Sequence, residues 1–120
     1  ITYIPRNDLA EAAAVVLATP ENHINATYDL TGGKAVTHAE IASYIAAATG
    51  KPVSHVDLPA EIHSGILTSL GLPGHLVEAL AGLYVGAKKG DYETVSNDIE
   101  RLLGRPAQSV EAYVKTTLAA

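Results

Sequence analysis

Apolar residues recur along this chain with two periods, and the switches between them lay out its elements. Leu9, Ala12, Ala13, Val16 and Leu17 fall at helical spacing behind Asp8, which the pattern predicts as the N-cap. Thr19-Pro20 stops that helix, and Glu21 to Asn25 reads as polar loop. Ala26 to Leu30 then changes to period two, Thr27 and Asp29 alternating with Tyr28 and Leu30, which predicts a strand broken by Thr31-Gly32-Gly33. Thr37, with Glu40 three residues on, has the form of a capping box. It opens a helix carrying Ile41, Tyr44, Ile45 and Ala48 on one face, with Gly50 as its C′ residue.

The second half of the chain is mostly helical. Val53 to Leu58 alternates as a further strand, and Pro59 marks a helix start with Ile62, Ile66 and Leu70 at i+4 spacing. After the turn Gly71-Leu72-Pro73-Gly74, Leu76, Leu80, Leu83 and Tyr84 define another helix, closed by Gly90. Asn97 with Glu100 is predicted to cap a short helix bearing Ile99, Leu102 and Leu103. Ser109 opens the last one, with Val110, Tyr113, Val114 and Leu118 inward. Together with the strand-like opening Ile1 to Ile4, the order is strand, helix, strand, helix, strand, then four helices. This predicts an α/β chain of about three short strands and six helices. Three strands are too few for a self-sufficient doubly wound sheet. The chain therefore reads as the helix-rich tail of a longer α/β protein, an expectation its strand-first start at Ile1 shares.

Composition narrows the function classes. One hundred and twenty residues suit one domain, and 48% hydrophobic against 18% charged residues excludes disorder. No apolar run reaches the roughly 18 residues of a membrane span, and no basic-then-apolar leader is present. Eight Lys and Arg residues are scattered in a chain of net charge −5, so a nucleic-acid footprint is missing. The absence of cysteine removes disulfides, zinc-thiolate sites and thiol catalysis, and fits a cytoplasmic protein. With Phe and Trp also absent, six tyrosines are the only aromatic rings a core or ligand pocket can use.

Few groupings carry chemistry. Tyr84-x-x-x-Lys88 has the spacing used by short-chain dehydrogenases, which sets a phenol and an ammonium on one helix face. A short pattern of this kind also arises by chance, and the plainer reading is a core tyrosine one turn from a solvated lysine. Gly32-Gly33-Lys34 lies between strand and helix but lacks the spacing of a phosphate cradle, and no Gly-x-Gly-x-x-Gly occurs. The histidines at 23, 38, 55, 63 and 75 share no helix at i, i+4, so they offer no zinc template and read as surface or boundary residues; His55 alone, alternating on a strand, has a ligand-facing option. No serine sits in a Gly-x-Ser-x-Gly elbow. Arg6 follows the first strand directly. There, at the carboxyl end of a parallel strand, a guanidinium can meet a pyrophosphate or substrate anion, the alternative being a surface ion pair.

A longer pattern runs through these pieces. Tyr3-Ile4-Pro5-Arg6-Asn7-Asp8-Leu9-Ala10 is followed by Thr27-Tyr28-Asp29-Leu30-Thr31-Gly32, the capped helix from Thr37 to Ile41, and Thr49-Gly50-Lys51-Pro52-Val53. Gly71-Leu72-Pro73, Val95-Ser96-Asn97-Asp98-Ile99 and Leu103-Gly104-Arg105-Pro106 come next, in order. In this the chain resembles the C-terminal portion of NmrA-like atypical short-chain dehydrogenases, in particular the type 2 NAD(P)H:quinone oxidoreductase and triphenylmethane-dye reductase branch. Each motif is weak alone; their order and spacing over essentially all 120 residues are specific.

The resemblance implies the helix-rich C-terminal part of a Rossmann-type fold, residues 1–120 forming one substrate-pocket domain beside a dinucleotide-binding half absent from this sequence. It implies an NAD(P)H-dependent oxidoreductase passing hydride to a quinone-like or dye-like small molecule, with NADP held mainly by that other half. Arg6 is carried over as a cofactor-binding residue and Asp8 as the helix cap, while no catalytic residue is assigned here. Tyr44 and Tyr84 are candidate liners of the substrate pocket, and Tyr84-x-x-x-Lys88 loses weight because the branch does not depend on it. No metal, nucleic acid or membrane is implied, and a homodimer stays open. The alternative within the same family is a non-enzymatic NAD(P)-sensing regulator.

Overall fold

A computed structural model describes residues 1–119 of the chain. α1 spans Arg6–Ala18 and starts straight after Pro5, whose extended backbone ends the preceding segment. No side chain caps it. Asp8, the expected cap, lies instead in the first turn, buried, where a carboxylate favours the helix dipole. A single 3₁₀ turn, Pro20–His23, occupies the expected polar loop.

α2, His38–Thr49, begins with the predicted capping box. Thr37 Oγ1 accepts from the Glu40 N–H at 3.1 Å, and Glu40 Oε2 accepts from the Thr37 N–H at 2.7 Å. Gly50 closes it at φ 67°, the left-handed backbone a glycine adopts freely. α3 (Ala60–Ser69) and α4 (Gly74–Lys89) form a hairpin. α5 (Asp98–Leu103) is entered through Ser96, whose hydroxyl accepts from the Asp98 N–H at 3.1 Å. The expected cap Asn97 makes no side-chain bond to that helix. Ser109 does cap α6 (Val110–Leu118), accepting from the Ala112 N–H at 3.1 Å.

The six helices match the expected number; the three strands do not form. Among the described residues, 1–4, 26–30 and 53–58 carry no ladder. A strand needs successive bonds to an adjacent strand, and these segments find isolated partners instead. Ile1 and Val36 exchange backbone bonds at 3.0 and 2.9 Å, and the Thr2 N–H donates to Tyr92 O at 2.9 Å. Gly32 passes so close to the Tyr3 carbonyl oxygen that a Cβ there would overlap it.

The helices pack in pairs, α1 with α5, α2 with α6 and α3 with α4. This spreads the chain: its radius of gyration is 17.0 Å, against about 14 Å for a compact domain of this length. Pairwise packing also limits burial. Ala12, Val36, Ala42, Val77 and Ile99 are buried, whereas the α3 stripe Ile62, Ile66 and Leu70 stays open, Leu70 at 70% exposure. A helix with one neighbour buries one side only, so the expected inward stripe of α3, and Leu17 on α1, remain uncovered.

Asp8 ties the first helix to the end of the chain. Its Oδ1 accepts from Arg105 Nη2 at 2.8 Å and its Oδ2 from the Gln108 N–H at 2.7 Å; Arg105 also reaches Glu11.

Candidate functional site

Tyr3 and Ile41 stand between two open clefts. The larger, about 630 Å3, lies between α2, residues 53–58 and the α3–α4 hairpin. Val53, Val56, Leu58, Leu80 and Leu83 make its walls, and Tyr3, His38, His55, His63 and Tyr84 supply its polar atoms. Apolar walls with a few convergent polar groups are what a small-molecule site requires. A cleft of about 300 Å3 adjoins it, sharing His38, His55 and Tyr84 and adding Asp57, Lys88 and Glu93. The second cleft at Tyr3, about 400 Å3, is lined by Arg6 and Asn7 together with Tyr113 and Val114.

The three residues singled out from sequence fall in three places. Arg6 lines the 400 Å3 cleft, and among the described residues it makes no ion pair or side-chain hydrogen bond, contrary to the surface-pair alternative. Its guanidinium is thus available to an anion. Tyr84 lines the large cleft. Tyr44 does not join it: it opens onto a separate recess of about 210 Å3 with Lys34, Gln108 and Glu111.

Tyr84 and Lys88 share a face of α4, as their spacing predicts, and both engage Asp57. The Tyr84 hydroxyl donates to Asp57 Oδ1 and to Leu58 O at 2.8 Å. Lys88 Nζ lies 3.0 Å from Asp57 Oδ1 and 4.8 Å from the centre of the Tyr84 ring. The Tyr84 hydrogen bond, then Lys88, holds the Asp57 carboxyl below its ordinary range, and Asp57 in turn raises Lys88. One hydroxyl proton already directed at two acceptors is not free for a ligand. The pair therefore straps residues 57–58 to α4. His63 stacks on the same ring at 5.0 Å, with Nδ1 buried and unpartnered among the described residues.

A second constellation went unselected in the sequence. Tyr3 Oη lies 3.1 Å from His38 Nε2, and the His38 ring stacks on His55 with centroids 5.4 Å apart. Burial pushes the Tyr3 phenol up, keeping it protonated, while burial followed by the neighbouring His55 pulls His38 down. As first residue of α2, His38 also faces the positive end of the helix dipole, which disfavours an imidazolium. Tyr3 and His38 are 35 residues apart, so no local window joins them. The remaining histidines behave as boundary residues: His23 bonds Tyr28 Oη at 2.6 Å, and His75 is exposed. Among the described residues no cluster of three metal-ligating side chains exists, and no helix is long and apolar enough to cross a membrane.

No family model matches the chain. Known proteins do. Over its full length the chain is 32% identical to an NAD(P)H azoreductase of Xenophilus azovorans, covering 42% of that protein. Over 91% of its length it is 33% identical to quinone oxidoreductase 2 of Escherichia coli, covering 38% of it. The structure of Citrobacter sp. triphenylmethane reductase complexed with NADP(H) superposes on 98% of the chain with a TM-score of 0.91 and 33% identity, 41% of that chain being matched. The fold is thus that of the helix-rich C-terminal part of a Rossmann-type reductase. Within that class the resemblance to NmrA-like proteins of the quinone and triphenylmethane-dye branch is borne out. The chain spans about two-fifths of the length of the relatives it matches.

Proposed function

We propose that this chain is the acceptor-side part of an NAD(P)H-dependent oxidoreductase that reduces a quinone-like or dye-like small molecule. The observation that carries the reading is the full-length match to reductases, one of them a complex with NADP(H), by a chain holding an open apolar cleft. A reduced nicotinamide, bound mainly by a dinucleotide-binding half outside this chain, supplies the hydride. The residues present fit that role: Arg6, which lines its cleft and has no ion pair among the described residues, suits contact with the anionic part of the cofactor. Aliphatic side chains of the large cleft shape a slot for a flat acceptor, with Tyr84 holding its wall, while Tyr44 lines the separate recess and not this slot. The uncovered apolar faces of α1 and α3 and the unladdered segments supply the surface on which the remaining half and its sheet would pack.

The division of labour is testable on the chain alone. Calorimetry with NADPH is expected to give no micromolar binding, and the chain is expected not to reduce menadione. Tight NADPH binding by these 120 residues would contradict the placement of the cofactor site outside them.

A further inference from the structure

A quinone or azo acceptor that has taken a hydride carries negative charge on an oxygen or nitrogen and needs a proton, whereas a cationic triphenylmethane dye becomes neutral on taking the hydride and needs none. The Tyr84 hydroxyl is spent on Asp57 and Leu58, and Lys88 is paired with Asp57, so this helix face does not supply it. We propose that Tyr3 is the proton donor of the large cleft and that His38 is the residue that positions and recharges it. This rests on reading the cleft as the acceptor site.

Geometry carries the proposal. Tyr3 and His38 both line the cleft, and their polar atoms are 3.1 Å apart. If His38 carries its proton on Nε2, the Tyr3 oxygen accepts that bond and its own O–H points free into the cleft. His38 Nδ1 makes no bond within the described residues and is not sealed from water, since the one sealed, unpartnered side-chain atom there belongs to His63. The transfer then balances. The Tyr3 O–H bond breaks as an O–H or N–H bond forms on the reduced acceptor. The phenolate takes the Nε2 proton while Nδ1 accepts one from a water that leaves as hydroxide; His38 is then the other neutral tautomer, and exchange of its ring protons with water restores the Nε2–H form. The His55 ring, stacked on His38 from the exposed segment 53–58, holds the imidazole plane during the exchange.

Nuclear magnetic resonance of the full-length protein that carries the chain, with labelled histidine rings, tests this without turnover. The expected result is a His38 ring with its proton on Nε2, and loss of that bias in Tyr3→Phe. Menadione, to which a chain without cysteine offers no thiol, is the probe. It is expected to shift the Leu80 and Leu83 methyl signals together with His38 Nε2; in Tyr3→Phe the methyl shifts persist and the His38 response is lost. A proton on His38 Nδ1 in the wild-type chain, or methyl shifts with a silent His38, overturns the relay and leaves the cleft reading standing. Absence of any methyl shift with menadione overturns the cleft reading, and the relay with it.

Discussion

Asp8 and Arg105 meet at 2.8 Å across 97 residues of chain, joining the first turn of α1 to the loop before α6. The carboxylate is buried and has both oxygens occupied, the second by the Gln108 N–H. Asp8→Ala is expected to destabilise the chain by about 2 kcal/mol, the cost of leaving that N–H unpaired in a part-buried position. Urea unfolding measures it. A loss near zero would mean the clamp contributes nothing beyond water.

That clamp also marks the limit of local reading. The motifs around Asp8 and Arg105 are both visible in the sequence, yet a window of a few residues sees only the helix start and so predicts Asp8 as a cap. The capping box at Thr37 and Glu40 was fully legible, since its partners are three residues apart. The helices came through for the same reason. The strands did not: alternation reports which side of a segment is apolar, while a ladder depends on a neighbour the sequence does not name. The inward stripe of α3 failed likewise, because amphipathicity predicts a face to be covered and not what covers it. At the site, Tyr84-x-x-x-Lys88 was legible as a spacing, but its Asp57 partner, 27 residues from Tyr84, was not.

Acid is expected to loosen the start of α2. Lys34, followed by the Thr37 bonds, lowers the Glu40 carboxyl to about 2. A depressed carboxylate contributes stability that is complete above its unfolded value, 4.5 here, and is lost as pH falls toward 2. The Glu40 carboxyl carbon resonance should titrate near the lower value. Glu40→Gln, which keeps the cap acceptor but not the charge, should show helix content less sensitive to acid between those pH values. A Glu40 midpoint at its ordinary value would contradict the Lys34 bond and the capping box as the sources of the depression.

Tyr84→Phe removes the donor that both Asp57 and the Leu58 carbonyl use. A loss of about 1 kcal/mol is expected, a typical net value for one hydrogen bond. The Asp57 carboxyl should rise toward its ordinary range, since Tyr84 is the largest cause of its depression. Carboxyl resonance titration of both forms decides; an unmoved Asp57 would show that Lys88 alone sets it.

Gly32→Ala places a methyl against the Tyr3 carbonyl oxygen. Backbone must move to accept it, which costs on the order of 2 kcal/mol and displaces Tyr3 from His38. Thermal unfolding should show the loss, and the His38 ring resonance should move. An unchanged melting temperature would mean that the two segments separate without penalty.

The central claim is that this chain forms the acceptor side of an NAD(P)H-dependent reductase. Its most direct test is NADPH oxidation by the native full-length protein that carries the chain, followed with menadione and with a triphenylmethane dye. Acceptor-dependent consumption of NADPH, with the quinone or dye reduced in equal amount, is the predicted result. NADPH binding with no turnover of either acceptor would contradict it and turn the reading to a dinucleotide sensor.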